Sequence, residues 1–274
     1  MAGNTPYVLG TGDDELQRLA LQHRLWSDAL HAACRRVGLR IGHRVLDVGC
    51  GPGFASFDLA QLVTSQGRVV GVDESQPFLD HLAEQAERRQ LPQLRGRCGD
   101  VQALAELVGD VAPFDFAYAR WVLCFVSDPA AVLAGLAQVV RPGGHLVVHD
   151  YFNYRAMTLA PRSEFHDRAV AATAAAWAAR GGDSDVVGRL PRLLDAAGFD
   201  VDSIDVHQRV ARGTDTMFGW LDTWWHTFVP KLVAMGRLSA ADGDGLLAEL
   251  AAMRGDGLRF AMCPPVWEVV ARRR

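Results

Sequence analysis

Short apolar runs alternate with helical patterns along the first half of the chain. Five strand-like runs span 44–48, 69–73, 94–98, 114–119 and 145–149. The segments between them carry apolar residues at the spacing of an amphipathic helix. These predicted helices cover 54–63, 77–90, 101–107 and 129–140. Strands that alternate with helices in this way predict a parallel sheet covered by helices on both faces, a doubly wound α/β fold.

The pattern changes on either side of this region. Residues 13–37 predict a helix or a pair of helices, and the later stretches 155–180 and 215–253 are mostly helical. Strand-like residues recur at 201–210 and 266–271. We expect one domain with insertions, in six segments: an N-terminal helical cap (1–40), the core of the sheet (41–150), a helical lid insertion (151–182), the end of the core sheet (183–211), a second helical lid insertion (212–257) and the last strand (258–274).

Three glycines follow the first predicted strand at alternate positions. The segment Val45–Gly53 reads VLDVGCGPG and places Gly49, Gly51 and Gly53 at a strand-to-helix turn. Glycine there lets the backbone adopt angles closed to other residues and lets a ligand pack against the main chain. The next predicted strand ends on Asp73, at the spacing of a ribose-binding acid on the neighbouring strand. The two features predict a cofactor that contains a nucleotide.

The loop discriminates between nucleotide cofactors. A dinucleotide fingerprint, G-x-G-x-x-G, that starts at Gly49 needs a third glycine at position 54, where the chain has Phe54. A phosphate-binding P-loop needs Gly-Lys-Ser/Thr, which does not occur in the sequence. Both patterns are disfavoured, and a nicotinamide-dependent oxidoreductase is kept only as an alternative.

The stretch from Asp47 to Gly53 has the form D-x-G-x-G-x-G, which resembles motif I of the class I S-adenosylmethionine (SAM)-dependent methyltransferases. Three further motifs match in order: Asp100 in Cys-Gly-Asp-Val, the stretch Ala119–Leu123, and Arg-Pro-Gly-Gly at 141–144. The match is good over residues 41–150 and loose beyond them. The chain therefore resembles the small-molecule enzymes of this family, such as those of ubiquinone, menaquinone and natural-product biosynthesis.

The resemblance implies a Rossmann-like methyltransferase fold, with seven strands in the order 3-2-1-4-5-7-6, strand 7 antiparallel, and helical lid insertions around a SAM-binding core. It implies that Asp100 contacts the adenine. Arg120 either holds the methionine carboxylate of SAM or a substrate acid, or forms a surface ion pair. The predicted cofactor-binding residues are Tyr7, Gln22, Gly49, Cys50, Gly51, Gly53, Asp73, Glu74, Asp100, Val101 and Arg120.

The methyl acceptor is expected at the carboxyl end of the fifth strand, where ligands of open α/β sheets bind. His149 and Tyr151 are the candidate catalytic residues, because each offers a group that can remove a proton from an acceptor. The aromatic residues within 217–228 are expected to be part core and part pocket wall, since the insertion covers the acceptor in similar enzymes. The predicted substrate-binding residues are Trp121, Asp150, Tyr154, Trp224, Trp225 and Phe228.

Composition limits the remaining possibilities. The formal net charge of −4 at pH 7 argues against a nucleic-acid partner. Five cysteines without a C-x-x-C pair, and an N-terminus without the features of a secretion signal, favour a reduced, cytoplasmic protein. No apolar run is long enough to span a membrane. No ligand spacing near the expected site predicts a metal.

These observations together predict a cytoplasmic SAM-dependent methyltransferase, a monomer or a homodimer, whose partner is a small molecule. The predicted acceptor is largely apolar, aromatic or polycyclic, and belongs to natural-product biosynthesis. A second alternative, beside the oxidoreductase, is a SAM-binding protein that does not transfer the methyl group, because its cofactor motifs would be the same.

Overall fold

The computed structural model describes residues 12–274. The α-helices and strands follow one another in the order α1 (Asp13–Arg36), β1 (Arg44–Val48), α2 (Phe54–Val63), β2 (Arg68–Asp73), α3 (Gln76–Arg88), β3 (Leu94–Cys98), α4 (Leu104–Val108), β4 (Phe114–Arg120), α5 (Pro129–Val139), β5 (Val140–Tyr151), β6 (Thr158–Ala160), α6 (Glu164–Ala178), α7 (Leu190–Ala196), β7 (Phe199–His207), β8 (Val210–Arg212), α8 (Thr216–Ala234), α9 (Ala240–Met253), β9 (Phe260–Met262) and β10 (Val266–Arg273).

The central sheet has seven strands in the order β3-β2-β1-β4-β5-β10-β7. Strands β1 to β5 pair in parallel, and β10 is antiparallel to both β5 and β7. Because β7 and β10 are the sixth and seventh strands of this sheet along the chain, the order is the one that the resemblance implied. The predicted doubly wound α/β fold is confirmed.

Both faces of the central strands are buried, and this explains their apolar runs in the sequence. Strand β1 shows the arrangement: Leu46 and Val48 pack in one hydrophobic cluster, and Val45 packs in the cluster on the opposite face. Helices α1, α2 and α3 contribute to the second cluster. The carboxyl ends of β1, β2, β4 and β5 therefore lie together at one edge of the sheet.

The remaining elements form a cap over that edge. Helix α1 packs against α8, α8 packs against α9, and α6 contacts both α8 and α9. A small antiparallel sheet in the order β6-β9-β8 supports the cap. Gln22 on α1 accepts a hydrogen bond from Trp220 Nε1 on α8 at 2.9 Å, which ties the two helices together. The division into six segments at the predicted boundaries stays a prediction.

Within residues 12–274, every helix is too short or too polar to cross a bilayer. All five cysteines are free thiols.

Candidate functional site

A cavity of about 970 Å³ lies between the carboxyl edge of the sheet and the cap. Its size is at the upper end of the range of about 300–1,000 Å³ that is typical of ligand pockets. One end, which we call the cofactor half, is lined by Asp47, the glycine loop, Asp73, Glu74, Asp100, Val101 and Arg120. The other end, which we call the aromatic box, is lined by Trp121, Tyr151, Tyr154, Trp177, Trp220 and Trp224.

The glycine loop leaves open space at one position. Gly51 has a φ of +54°, and a Cβ added to it would meet no atom of the described residues within 4 Å. Gly49 and Gly53 also have positive φ, but a Cβ there would come within 2.4 Å of Val122 and 2.8 Å of Leu82. Gly51 therefore faces the cavity, whereas the other two glycines permit close packing within the protein. Gly53 itself does not line the cavity and instead precedes the first residue of α2.

Asp73 holds the loop from the end of β2. Its Oδ2 accepts a hydrogen bond from Gly51 N at 2.8 Å, and its Oδ1 accepts one from Ser75 N at 2.9 Å. Burial raises the pKa of this carboxyl, and the two backbone N–H groups oppose the shift. Each carboxylate oxygen has a second lone pair. Asp73 is thus placed both to brace the loop and to accept from a ligand's hydroxyl groups.

Asp100 and its neighbours close the far end of the cofactor half. Asp100 accepts hydrogen bonds from Gln102 N at 2.9 Å and from the Gln102 side chain. Glu74 lies beside it, and burial together with the Asp73 and Asp100 charges raises the pKa of Glu74. Arg180, just beyond α6, lines the cavity near Glu74 and partly offsets this shift.

Arg120 occupies the middle of the cavity, where the cofactor half meets the box. Its Nη2 donates to His23 Nδ1 at 3.2 Å, and His23 Nε2 in turn lies 3.2 Å from the Asp58 carboxylate. Burial lowers the pKa of His23, which favours the neutral ring that this arrangement requires. Arg120 Nη1 is buried, and none of residues 12–274 offers it a hydrogen-bond partner. An anionic ligand group would satisfy this donor.

These observations test whether SAM fits the site. The open position at Gly51 accommodates a ligand against the backbone, and the carboxylate of Asp73 suits ribose hydroxyls. The unpartnered Nη1 of Arg120 suits an amino-acid carboxylate. The residues present therefore fit the cofactor, with Asp73, Asp100 and Arg120 as its holding side chains.

The aromatic box is a continuous set of rings. Trp121 stacks with Tyr151 at 6.3 Å and with Trp220 at 5.9 Å between ring centroids. Trp177 contacts Tyr151 at 5.9 Å and Trp224 at 6.2 Å. Rings arranged in this way form an apolar surface that suits a flat ligand.

His149 does not line the cavity, contrary to the sequence expectation. Its side chain lies on the sheet face that α1 covers, and it is 1% exposed. Nε2 donates to Glu268 at 2.7 Å, and Nδ1 accepts from the Tyr118 hydroxyl at 2.9 Å. Successive residues of a strand point to opposite faces, and His149 lies on the side of Val147 and Tyr118, away from the box. Tyr151, the last residue of β5, departs from this alternation and packs in the opposite cluster. His149 is sealed from any acceptor.

Tyr151 does line the box, as does Tyr154. Burial raises the pKa of each phenol above its ordinary value. Both side chains therefore stay protonated at neutral pH. Tyr151 is placed to contact an acceptor but is a poor proton acceptor itself.

Three predicted acceptor residues are buried elsewhere. Asp150 accepts hydrogen bonds from Cys124 N at 3.1 Å and from Tyr151 N at 2.9 Å. It therefore joins the turn that follows β4 to the end of β5. Trp225 packs against His166 in the interior of the cap, and Phe228 stacks on Trp224 at 4.8 Å. Asp150, Trp225 and Phe228 are thus outside the cavity lining.

The structure brings the other predicted residues to the cavity. These are Gln22, Gly49, Cys50, Gly51, Asp73, Glu74, Asp100, Val101, Arg120, Trp121, Tyr154 and Trp224. Tyr7 lies outside the described residues.

Sequence reasoning missed several lining residues, namely Arg18, His23, Phe125, Trp177, Arg180 and Trp220. The i, i+4 spacing of Arg18 and Gln22 on α1 was an available signal.

Among the described residues, His149, His207 and Glu268 have potential metal-ligand atoms within 4.8 Å of one another. The spacing of these residues along the chain does not indicate such a group. Glu268 also pairs with Arg36, whose charge opposes a cation there. The group lies away from the cavity, and the expectation that the site itself uses no metal stays a prediction.

Comparisons with known proteins agree with this geometry. A family model described as "Methyltransferase domain" matches residues 46–148. A trans-aconitate 2-methyltransferase from Methylobacterium radiotolerans is 35% identical over 87% of this chain and 90% of its own. An uncharacterized 37.1 kDa protein in transposon TN4556 of Streptomyces fradiae is 42% identical over 40% of this chain, which spans 30% of that protein.

Solved structures share the fold. The YcgJ protein from Bacillus subtilis matches with a TM-score of 0.61 and 15% identity, over 90% of this chain and 99% of that one. The [4+2]-cyclase SpnF matches with a TM-score of 0.52 and 21% identity, over 95% and 81% of the two chains. The fold, the fit of the cofactor half and the extended match to a methyltransferase sequence lead to one conclusion: the chain belongs to the class I SAM-dependent methyltransferases, and SAM is its cofactor.

Proposed function

We propose that this methyltransferase acts on a small, largely apolar and planar acceptor, an aromatic or polycyclic compound of natural-product biosynthesis. The observation that carries the proposal is the aromatic box, which adjoins the cofactor half in the same cavity. Six aromatic side chains present flat surfaces that suit a rigid ring system better than a short, flexible metabolite. We expect the enzyme to act in the cytoplasm, as a monomer or a homodimer, on neither nucleic acid nor membrane.

The chain's own contribution to catalysis is mainly positioning. When bound, SAM supplies a methyl group on a positively charged sulfur. The Asp73–Gly51 hydrogen bond fixes the conformation of the glycine loop, and Arg120 offers a charged hydrogen-bond donor in the middle of the cavity. The cap helices α1, α6 and α8 exclude water from the box, so that a bound acceptor is held in a fixed orientation.

Removal of a proton by the protein is not part of the proposed mechanism. Among the described residues, the acids that line the cavity all belong to the cofactor half, and its one lining histidine, His23, is engaged with Arg120 and Asp58. The phenols of the box remain protonated. The enzyme therefore suits acceptors that are nucleophilic without help from a base.

The absence of a base among the described residues that line the box favours a second candidate function. A box without a base also suits a protein that binds SAM and shapes an acceptor's reaction without transferring the methyl group. The [4+2]-cyclase with a similar fold makes this alternative worth testing.

Two measurements separate the candidates. Calorimetry with SAM and with S-adenosylhomocysteine (SAH), its demethylated product, establishes binding. Mass spectrometry with methyl-labelled SAM then screens aromatic acids, polycyclic phenols and trans-aconitate as acceptors. A labelled product supports methyl transfer. An acceptor that is converted without gaining the label supports the second candidate and contradicts the first.

A further inference from the structure

We propose that His23 is a positioning residue for the cofactor. Its ring accepts a hydrogen bond from Arg120 Nη2 and so keeps Arg120 Nη1 directed into the cavity, where it binds the carboxylate of SAM. This inference rests on the proposed function, in which Arg120 offers its charge to the cofactor, and it names the residue that orients Arg120. Three features support it: the contacts of Arg120, the proton on the His23 ring, and the charges around the two residues.

The first feature is the small number of contacts that hold the Arg120 side chain. Among residues 12–274 it makes one hydrogen bond, from Nη2 to His23 Nδ1 at 3.2 Å. The guanidinium also lies 5.9 Å from the Tyr118 ring and 5.1 Å from the Trp121 ring. Ring faces attract a cation without choosing among its N–H groups. Because the N–H groups of a guanidinium form a rigid, planar fork, the bond at Nη2 also sets the direction of Nη1.

The second feature is that a single neutral form of the His23 ring fits its partners. A guanidinium only donates, so Nδ1 must be unprotonated to accept from Arg120. The ring hydrogen is then on Nε2, which lies 3.2 Å from Asp58 Oδ2. Nε2 of His31 lies 3.0 Å from the same oxygen, and the Phe54 ring stacks on His23 at 6.2 Å between centroids. These contacts fix both the plane of the ring and the position of its acceptor atom.

The third feature is that the group that orients Arg120 carries no charge. A carboxylate in the place of His23 would also accept from Arg120, but it would offset the positive charge that attracts an anionic ligand. The neutral ring separates Arg120 from the carboxylate of Asp58. The buried Asp47 also interacts with Arg120, but burial raises the pKa of Asp47 to about 6, and Ser56 Oγ donates to its carboxyl group at 2.5 Å. The charge of Arg120 is therefore directed to a ligand.

Protonation of His23 should reverse this arrangement. A protonated ring carries a hydrogen on Nδ1, so it cannot accept from Arg120, and it places a second positive charge beside the guanidinium. Burial lowers the pKa of His23 from its ordinary value of 6.5, and the charges of Arg120 and His31 lower it further, whereas Asp58 opposes the shift. The neutral ring is thus present at neutral pH. Affinity for the cofactor's carboxylate should fall as the pH falls through this lowered pKa, below 6.5.

The experiment compares two ligands that differ at the amino-acid group. SAH carries this group with its carboxylate, whereas 5′-methylthioadenosine has the same adenosine and sulfur without it. The ratio of their affinities, measured by calorimetry, reports the contribution of the amino-acid group, and general damage to the site would weaken both ligands alike. At pH 7.5, His23→Leu should lower the ratio about fivefold or more and leave methylthioadenosine binding unchanged. Arg120→Gln should lower the ratio at least as much.

Two further variants separate positioning from a merely structural role. His23→Asn places an amide oxygen near the position of Nδ1, so it can still accept from Arg120, and it should recover most of the ratio at pH 7.5. His31→Asn is the matched control, because His31 also contacts Asp58 but lies outside the cavity lining. It should keep the wild-type ratio.

The pH dependence of the ratio identifies the titrating group. Between pH 7.5 and pH 5.0 the wild-type ratio should fall about twofold or more beyond the fall in His23→Asn, which has no ring to protonate. The carboxyl groups of Asp47 and Asp73, whose pKa values are raised by burial, are present in both proteins. The difference between the two proteins therefore isolates His23. It also tests the inference if His23→Leu does not fold.

The inference would be overturned by a wild-type ratio in His23→Leu or in Arg120→Gln, or by equal losses of both ligands. A His23→Asn variant as impaired as His23→Leu, or one with the pH dependence of the wild type, would also contradict it. All these results concern the cofactor's amino-acid group and leave methyl transfer to a planar acceptor intact. A wild-type protein that binds SAH but methylates no acceptor would instead contradict the proposed function.

Discussion

Substitution of Gly51 by alanine separates the two roles that a glycine has in a loop. Gly51 has a φ of +54°, and its added methyl group would project into open space in the cofactor half. Gly38, after α1, is a matched control: its φ is +68°, and it lies outside the cavity lining. A Cβ added there would also meet no atom within 4 Å among the residues that the structure describes. The two substitutions therefore impose the same backbone strain at different places.

The expected magnitudes follow from this comparison. A left-handed conformation costs a residue with a Cβ about 1–2 kcal/mol, so both variants should lose a few degrees of melting temperature. Only Gly51→Ala places a methyl group where the cofactor lies against the backbone. Its affinity for SAH should fall by at least about tenfold, or about 1.4 kcal/mol.

Thermal melting with and without SAH measures both effects. A ligand at about 100 times its dissociation constant stabilises the folded state by about 2.7 kcal/mol. SAH should raise the melting temperature of Gly38→Ala as much as that of the wild type, and should raise that of Gly51→Ala much less. Equal SAH shifts in the two variants would refute the assignment of Gly51 to the cofactor cradle.

Four further predictions concern Asp73, Glu268, the phenol of Tyr151 and metals. Asp73→Ala should weaken SAH binding about tenfold in calorimetry with an unchanged circular dichroism spectrum, since it removes an acceptor for ligand hydroxyls; unchanged affinity would exclude the ribose role. Burial alone would raise the pKa of Glu268, but hydrogen bonds from His149 and His207 and the charge of Arg36 lower it to about 2, from an ordinary value of 4.5. The contribution of Glu268 to stability is therefore present above about pH 4.5 and is lost as the pH falls toward 2. In chemical denaturation, the Glu268→Gln variant should lose less stability between these pH values than the wild type. An identical pH dependence of the two proteins would count against these interactions of Glu268. Tyr151→Phe should reduce turnover less than tenfold, because the phenol is not the base. A reduction of a hundredfold or more would show that the Tyr151 phenol takes part in proton transfer. Activity should survive a chelator, whereas loss in EDTA and recovery with magnesium would show a metal requirement.

The succession of core strands and helices along the chain was predictable because most of the strands carry apolar runs and the helices between them have a helical period. The sheet order followed from the resemblance, since periodicity alone does not say which strands are neighbours. The cofactor half was predictable for a similar reason: Gly51 and Asp73 belong to a local loop and to the strand beside it.

The acceptor side was harder to predict. At the end of β5, His149 and Tyr151 are two residues apart and seemed equally able to reach an acceptor, but His149 packs under α1 while Tyr151 turns into the box. Helical spacing placed Trp224 and Phe228 on one face, yet Phe228 stacks behind Trp224 and is covered by it. Such choices depend on contacts between elements far apart in the sequence.

The contribution of α1 to the box was hidden for the same reason. Arg18 reaches the cavity because α1 packs against α8, more than 190 residues later in the chain. The nicotinamide-dependent alternative was wrong, since the chain is a SAM-dependent methyltransferase. Phe54, the residue that argued against it, stacks on His23 beside the cofactor half.

The central claim is that this cavity transfers a methyl group from SAM to a planar acceptor in the aromatic box. The most direct test incubates the wild type and Gly51→Ala with methyl-labelled SAM and the acceptor panel, and follows the label by mass spectrometry. We predict a labelled aromatic product with the wild type and a strongly reduced yield with the variant. A wild-type protein that binds SAH but labels no acceptor, or a variant that labels as fast as the wild type, would contradict the account.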